Sequence, residues 1–198
     1  AGGEGQKDVS VCRQEAGYLS ELQASLANGS YRPSPVKRVE IPKGDGKTRP
    51  LGIPTVKDRI VQTALKMAIE PIFEVRFRPG SFGFRPGRGC KDALREVDRL
   101  LKQGYTHVVD ADLKSYFDTI PHDRLMVLVE GSIGDGRILA LIDSFLQQEI
   151  MTDIACWQPT MGTPQGAVLS PLLANLYLHP LDLLMEQSGY RMVRYADD

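Results

Sequence analysis

Two adjacent carboxylates, Asp197 and Asp198, follow an apolar, strand-like run from Tyr190 to Tyr195. Adjacent acids repel, and a fold tolerates such a pair most readily when a cation neutralises it. A second acidic stretch, Val108-Val-Asp110-Ala-Asp112-Leu-Lys-Ser-Tyr-Phe117-Asp118, has the same character. Two carboxylate-bearing strand ends set side by side would hold two divalent cations roughly 3.5–4 Å apart, the arrangement used for in-line phosphoryl transfer. An Asp-Asp pair also occurs as a plain solvated pair, so its meaning depends on the elements that position it.

Those elements are legible as a series of short segments. Residues 8–27 carry Val11, Tyr18, Leu19, Leu22 and Leu26 at helical spacing, with Asn28-Gly29 as a stop. Val36 to Ile41 alternates apolar and charged residues, Lys43 to Lys47 forms a turn, and Thr48 to Pro54 returns as an edge strand with prolines at both ends. Residues 56–77 form a helix that Pro71 should kink or end. The loop Pro79 to Gly89 holds four glycines, two arginines and two phenylalanines. Such a loop lets backbone approach a ligand while rings and guanidinium groups stack on bases; alternatively, Phe82 and Phe84 anchor it in the core.

Further helices are predicted over 90–103, 122–130, 137–147 and 168–185. Strands are predicted over Thr106–Asp112, within Glu149–Trp157 and over Tyr190–Tyr195. In the Thr106–Asp112 strand, Val108, Asp110 and Asp112 share a face. Gly46-Lys47-Thr48 looks like the end of a phosphate-binding P-loop. That motif needs a glycine at position 41, which is Ile41, and a helix directly after, so it is rejected.

Composition sets the partners. The 198 residues suffice for one large domain or two small ones. Residues 32–99 carry 16 Lys and Arg against 8 Asp and Glu, whereas residues 100–198 carry 6 against 13. A basic half suits a polyanion and an acidic half suits metal cations, although solvated faces produce such a split as well. No apolar run reaches the ~20 residues of a membrane span, and no signal peptide is visible. Cys12, Cys90 and Cys156 are too scattered for a disulfide framework or a zinc site, which points to a cytoplasmic setting.

Five stretches stand in a recognisable order: Arg49-Pro-Leu-Gly-Ile-Pro54, Ser81-Phe-Gly-Phe-Arg-Pro-Gly87, Asp112 to Phe117, Gly162-Thr-Pro-Gln-Gly166 with Leu169-Ser-Pro-Leu-Leu173, and Tyr195-Ala-Asp-Asp198. Together they resemble the reverse transcriptase domain of bacterial group II intron-encoded maturase/reverse transcriptases, over roughly residues 36 to 198. The resemblance implies an α+β fold: right-hand polymerase fingers and a partial palm, with an antiparallel palm sheet packed on helices. An N-terminal helical segment would span 1–35, fingers 36–104 and palm 105–198. The family continues beyond the Tyr-Ala-Asp-Asp box into a thumb and a maturase segment, so the chain is expected to be a piece of a longer protein, weak or inactive alone.

The resemblance also implies roles. Asp112, Asp197 and Asp198 would be the catalytic, metal-binding carboxylates. Asp112 is chosen over Asp110 because the family places an aromatic five residues after the metal aspartate, where Phe117 stands. Two magnesium ions, with manganese as a substitute, suit three aspartates without His or Cys. Lys43 and Arg49 would reach the triphosphate, Phe117 would exclude a 2′-hydroxyl, and Gln165 would lie beside the nucleotide. Arg85 and Arg88 would touch the template. The partners would be an RNA template (intron RNA), a DNA primer and deoxynucleoside triphosphates, with no membrane; oligomeric state is left open. The competing expectations are an RNA-binding splicing cofactor with secondary catalysis, and a retron or CRISPR-associated reverse transcriptase.

Overall fold

A computed structural model describes residues 15–43 and 46–198, except for the side chains of residues 15, 16, 43, 47 and 49. The first half of the helix predicted over 8–27 therefore lies outside the described residues. The remainder is α1 (Glu15–Ala27). It is followed by the hairpin β1 (Val36–Lys43) and β2 (Lys47–Ile53), then α2 (Val56–Glu74) and α3 (Cys90–Lys102). A one-turn helix α4 (Tyr116–Thr119), α5 (His122–Glu130) and α6 (Gly136–Leu146) come next. The short strands β3 (Ile150–Met151) and β4 (Cys156–Trp157) precede α7 (Ser170–Gln187).

The strands form one mixed sheet in the order β2-β1-β3-β4. β2 lies at its edge, where Pro50 costs no ladder bond toward a further strand. β1 pairs antiparallel with β2 and parallel with β3, and β3 pairs antiparallel with β4. The core is built by helices. Val61, Leu65, Ile69 and Phe73 of α2 recur every three to four residues and meet Leu125 and Val129 of α5, Ile142 and Phe145 of α6, and Leu172, Leu173 and Leu176 of α7.

Two buried polar side chains of α2 tie distant segments to this core. Asp58 is fully buried and accepts from the Tyr31 hydroxyl, from Ser34 N at 3.1 Å and from Gln148 Nε2 at 3.2 Å. Gln62 accepts from Val168 N at 2.8 Å and Leu169 N at 3.4 Å, supplying the start of α7 with the acceptor its own sequence lacks.

α2 runs through Pro71 to Glu74, so the proline does not end it there; the carbonyl that it leaves without a helical partner belongs to Met67, an exposed residue that water can serve. Two expectations are corrected. Thr106–Asp112 forms no strand, and Tyr190–Tyr195 forms only an isolated bridge between Ser81 and Arg194. The antiparallel pairing of the described residues is thus in β1–β2 and β3–β4, and not between the two acidic segments expected to build a palm sheet. Alternation specifies which residues share a face, while a strand exists only when a partner meets its backbone groups. Val108 and Val109 are exposed, with no segment covering them.

Candidate active site

The Tyr195–Asp198 segment is a tight turn. Tyr195 N donates to Asp198 O at 2.9 Å and Asp198 N returns to Tyr195 O at 3.2 Å. Its second residue, Ala196, is buried and left-handed at φ 62°. An alanine in that conformation is strained and persists only if its surroundings over-determine it. Arg194 supplies that constraint. Its buried guanidinium makes a double ion pair with Asp182, both bonds at 2.8 Å, and donates to Asn175 Oδ1, Ser81 Oγ and, at 2.6 Å, the carbonyl of Ala196 itself.

The Pro79–Gly89 loop backs this turn. Phe82 N donates to Arg194 O at 2.9 Å, Arg194 N donates to Gly80 O at 2.8 Å, and Asn175 Nδ2 donates to Gly83 O at 2.7 Å. A Cβ on Gly83 would lie 2.2 Å from Ala196 N, so only glycine admits this approach. The two phenylalanines divide between the readings the sequence left open. Phe82 is buried, whereas Phe84 is exposed and meets Phe117 edge-on at 6.1 Å.

Arg85, expected at the template, is buried; it clamps Glu74 through Nε and Nη2, donates to the carbonyls of Arg78 and Ser81 at 2.7 Å, and covers the Phe77 ring. Arg88 is half-buried; it donates to Pro79 O at 2.7 Å and lies over Phe82.

The Asp112 segment reaches the turn through one backbone bond, Leu113 N to Asp197 O at 3.3 Å. Phe117 follows on α4, beside Tyr116. Burial pushes the Tyr116 phenol well above its usual range, so it stays protonated and donates to Ala174 O at 2.7 Å. The Gly162–Gly166 turn is fastened on both sides. Thr163 N donates to Phe117 O at 2.7 Å and Gly162 N to Ile120 O at 2.8 Å, while Gly52 N of β2 donates to Gln165 O at 2.6 Å. Gly166, at φ +101°, leaves no room for a Cβ against Gly52 O. Gln165 therefore stands between the hairpin that carries Lys43 and Arg49 and the helix that carries Phe117. The Lys43 and Arg49 side chains lie outside the described residues.

An all-carboxylate donor set suits a hard divalent cation, so the residue types fit magnesium. Asp112 and Asp198 are exposed and Asp197 is half-buried. Among the described residues no three carboxylate, His or Cys side chains stand gathered as a metal-holding group. The backbone brings the acidic segments together, and their side chains remain spread.

Sequence reasoning missed Arg194, Asp182 and Asn175. Their signal was present: Asn175, His179 and Asp182 put polar groups at helical spacing on the otherwise apolar face of α7, next in the chain to the acidic turn.

A five-motif order, a polar scaffold under an acidic turn and a glycine-rich loop against it define a class. The chain belongs to the reverse transcriptase (RNA-dependent DNA polymerase) family, whose model matches residues 41–198. Within it, the chain is 42% identical to protein YkfC of Escherichia coli over 174 residues, covering 85% of this chain and 45% of that one. It is 41% identical to the group II intron-encoded protein LtrA of Lactococcus lactis over 181 residues, 91% of this chain and 30% of that one. An uncharacterized 91 kDa protein in a cob intron of Schizosaccharomyces pombe is 39% identical, over 85% of this chain and 21% of that one. The chain thus spans less than half the length of these relatives. Among solved structures, a partial Cas6-RT-Cas1–Cas2 complex matches with a TM-score of 0.55 at 26% identity, over 91% of this chain and 32% of that one. Candida albicans telomerase shares the fold, with a TM-score of 0.51 at 13% identity over 82% of this chain and 37% of that one.

Proposed function

We propose that this chain carries the nucleotide-adding site of a group II intron reverse transcriptase, extending a DNA primer on an RNA template. The observation that carries the reading is the Leu113–Asp197 backbone bond, which sets Asp112 beside the Asp197-Asp198 turn on a polar scaffold. Asp112, Asp197 and Asp198 would hold magnesium ions, or manganese in their place. Bound there, the cations would lower the pKa of the primer hydroxyl and neutralise charge on the triphosphate. Gln165 and Phe117 would position the incoming deoxynucleotide, the ring leaving no room for a 2′-hydroxyl. Lys43 and Arg49 would meet its phosphates from the hairpin. Residues 36–104 would act as fingers and 105–198 as palm.

The intron-type reading is favoured over a CRISPR-associated one by identity: 41% to the intron-encoded protein against 26% to the Cas6-RT-Cas1 chain. Among the described residues no helix is long and apolar enough to cross a membrane; a cytoplasmic setting is part of the same proposal. The test is primer extension on an RNA template with deoxynucleotides and magnesium, using the full-length protein that contains this chain. Asp197→Ala should abolish extension, by more than the roughly 10–100-fold that outer-shell partners of a metal site are worth, while RNA affinity persists. Extension that survives the substitution would overturn the assignment.

A further inference from the structure

A cavity of about 460 Å³ lies behind the turn that carries Gln165, between the β1–β2 hairpin and β4. Its size falls within the ~300–1,000 Å³ of ligand pockets. It is lined by Arg38, Pro50, Gly52, Trp157, Gln158 and Gln165, among others. Its hairpin wall is the register set in which Arg38 pairs with Gly52 and Glu40 with Pro50.

Its chemistry is that of a stacking platform. Trp157 is 38% exposed, and the Arg38 guanidinium lies 5.9 Å from its ring centroid. Arg38 Nε donates to Glu40 at 3.0 Å. Gln158 brings an amide donor and acceptor suited to the edge of a base. A second observation points to a missing polar partner. Thr163, also on the lining, is 2% exposed and its hydroxyl meets no partner among the described residues. An unmet buried hydroxyl is the kind of defect that a bound polar group removes.

We propose that this cavity receives an unpaired nucleobase of single-stranded RNA against Trp157 and Arg38, as a subsite distinct from the one that holds the incoming nucleotide. The choice of RNA rests on the proposed polymerase function, which keeps a single-stranded template beside the Gln165 turn. Stacking on an aromatic face tolerates any base, so the subsite would hold a strand without reading its sequence.

Trp157 is the only tryptophan of the chain, so its emission reports the subsite directly. The measurement is a titration of this chain with a single-stranded oligouridine and an oligoadenosine, without primer or magnesium, reading tryptophan fluorescence together with anisotropy of a labelled strand. Both oligomers should quench Trp157, and an oligomer of the same length with abasic positions should bind without quenching. Trp157→Ala should weaken binding by about five- to a hundredfold, the worth of one stacked base, with Trp157→Phe recovering most of it. RNA binding without quenching would overturn the proposal. So would quenching by a free deoxynucleoside triphosphate but not by RNA, since the cavity would then be the nucleotide site. Asp197→Ala should leave the quench unchanged, which separates this subsite from the fate of the polymerase assignment: loss of extension with the quench intact bears on the aspartates alone.

Discussion

Arg194 carries more of the candidate site than any of the aspartates it supports. Its side chain joins α7, the glycine-rich loop and the acidic turn in one buried network, with both members of the Arg194–Asp182 pair about 4% exposed or less. Breaking such a pair leaves a charge without compensation, so Asp182→Asn should destabilise the fold by about 3–5 kcal/mol, measured by urea unfolding. Arg194→Lys keeps the charge but loses the planar fork that reaches Asn175, Ser81 and Ala196 O together. That variant should fold and yet extend primers with a lowered kcat, because the strained Ala196 backbone is no longer held. At the same scale, Phe117→Val should raise ribonucleotide incorporation relative to deoxynucleotide by about ten- to a hundredfold, measured by competitive single-turnover extension. The expectation follows from the proposed role of the ring, which would act by steric exclusion rather than attraction.

Among the elements, α2 and α7 decide where the site stands. α7 begins at Leu169 with no side-chain cap of its own, and Gln62 of α2 supplies the acceptor. Gln62→Leu would keep the volume and remove that acceptor, leaving buried N–H groups unmet. A loss of about 1–3 kcal/mol is expected, read as a lower urea midpoint with an unchanged m-value. The Gly162–Gly166 turn depends on the same helix start, since Ser170 Oγ donates to Pro164 O at 2.8 Å. Nucleotide affinity should therefore fall in the Gln62 variant along with stability, although Gln62 touches no substrate. The hairpin meets this unit through the Gly52 N–Gln165 O bond and joins the sheet through the β1–β3 pairing.

For the whole molecule, pH acts through the interior of α7. His179 is 8% exposed, packs edge-on against Phe77 at 5.8 Å, and its Nδ1 has no partner among the described residues. Burial holds its pKa below the ordinary 6.5, aided by Arg76, Arg78 and Arg194 and opposed by Asp182. Above pH 6.5 the imidazole is neutral in both folded and unfolded chains and contributes no pH dependence. As pH falls through 6.5 the unfolded chain takes up the proton first, so stability drops until the folded pKa is passed. His179→Gln should flatten that part of the profile, which urea unfolding at pH 7.5 and 5.5 would show.

The sequence by itself determined the helices, the hairpin and the order of the motifs, because apolar spacing and turn residues act over a few neighbours. The Asp197-Asp198 pair stands out for the same reason, as adjacent acids at the end of an apolar run, whereas Asp112 is singled out by the resemblance and not by local pattern. Only the tertiary structure decided what the polar residues between the motifs do. Arg85 and Arg194 belong to the same residue type in glycine- or acid-rich surroundings, and nothing local shows that both turn inward. Burying a guanidinium requires partners from elsewhere in the chain, Glu74 for one and Asp182 and Asn175 for the other. The predicted strands at Thr106–Asp112 and Tyr190–Tyr195 failed on the same ground. Their alternation is local, but the backbone partner that would make them strands is a long-range fact.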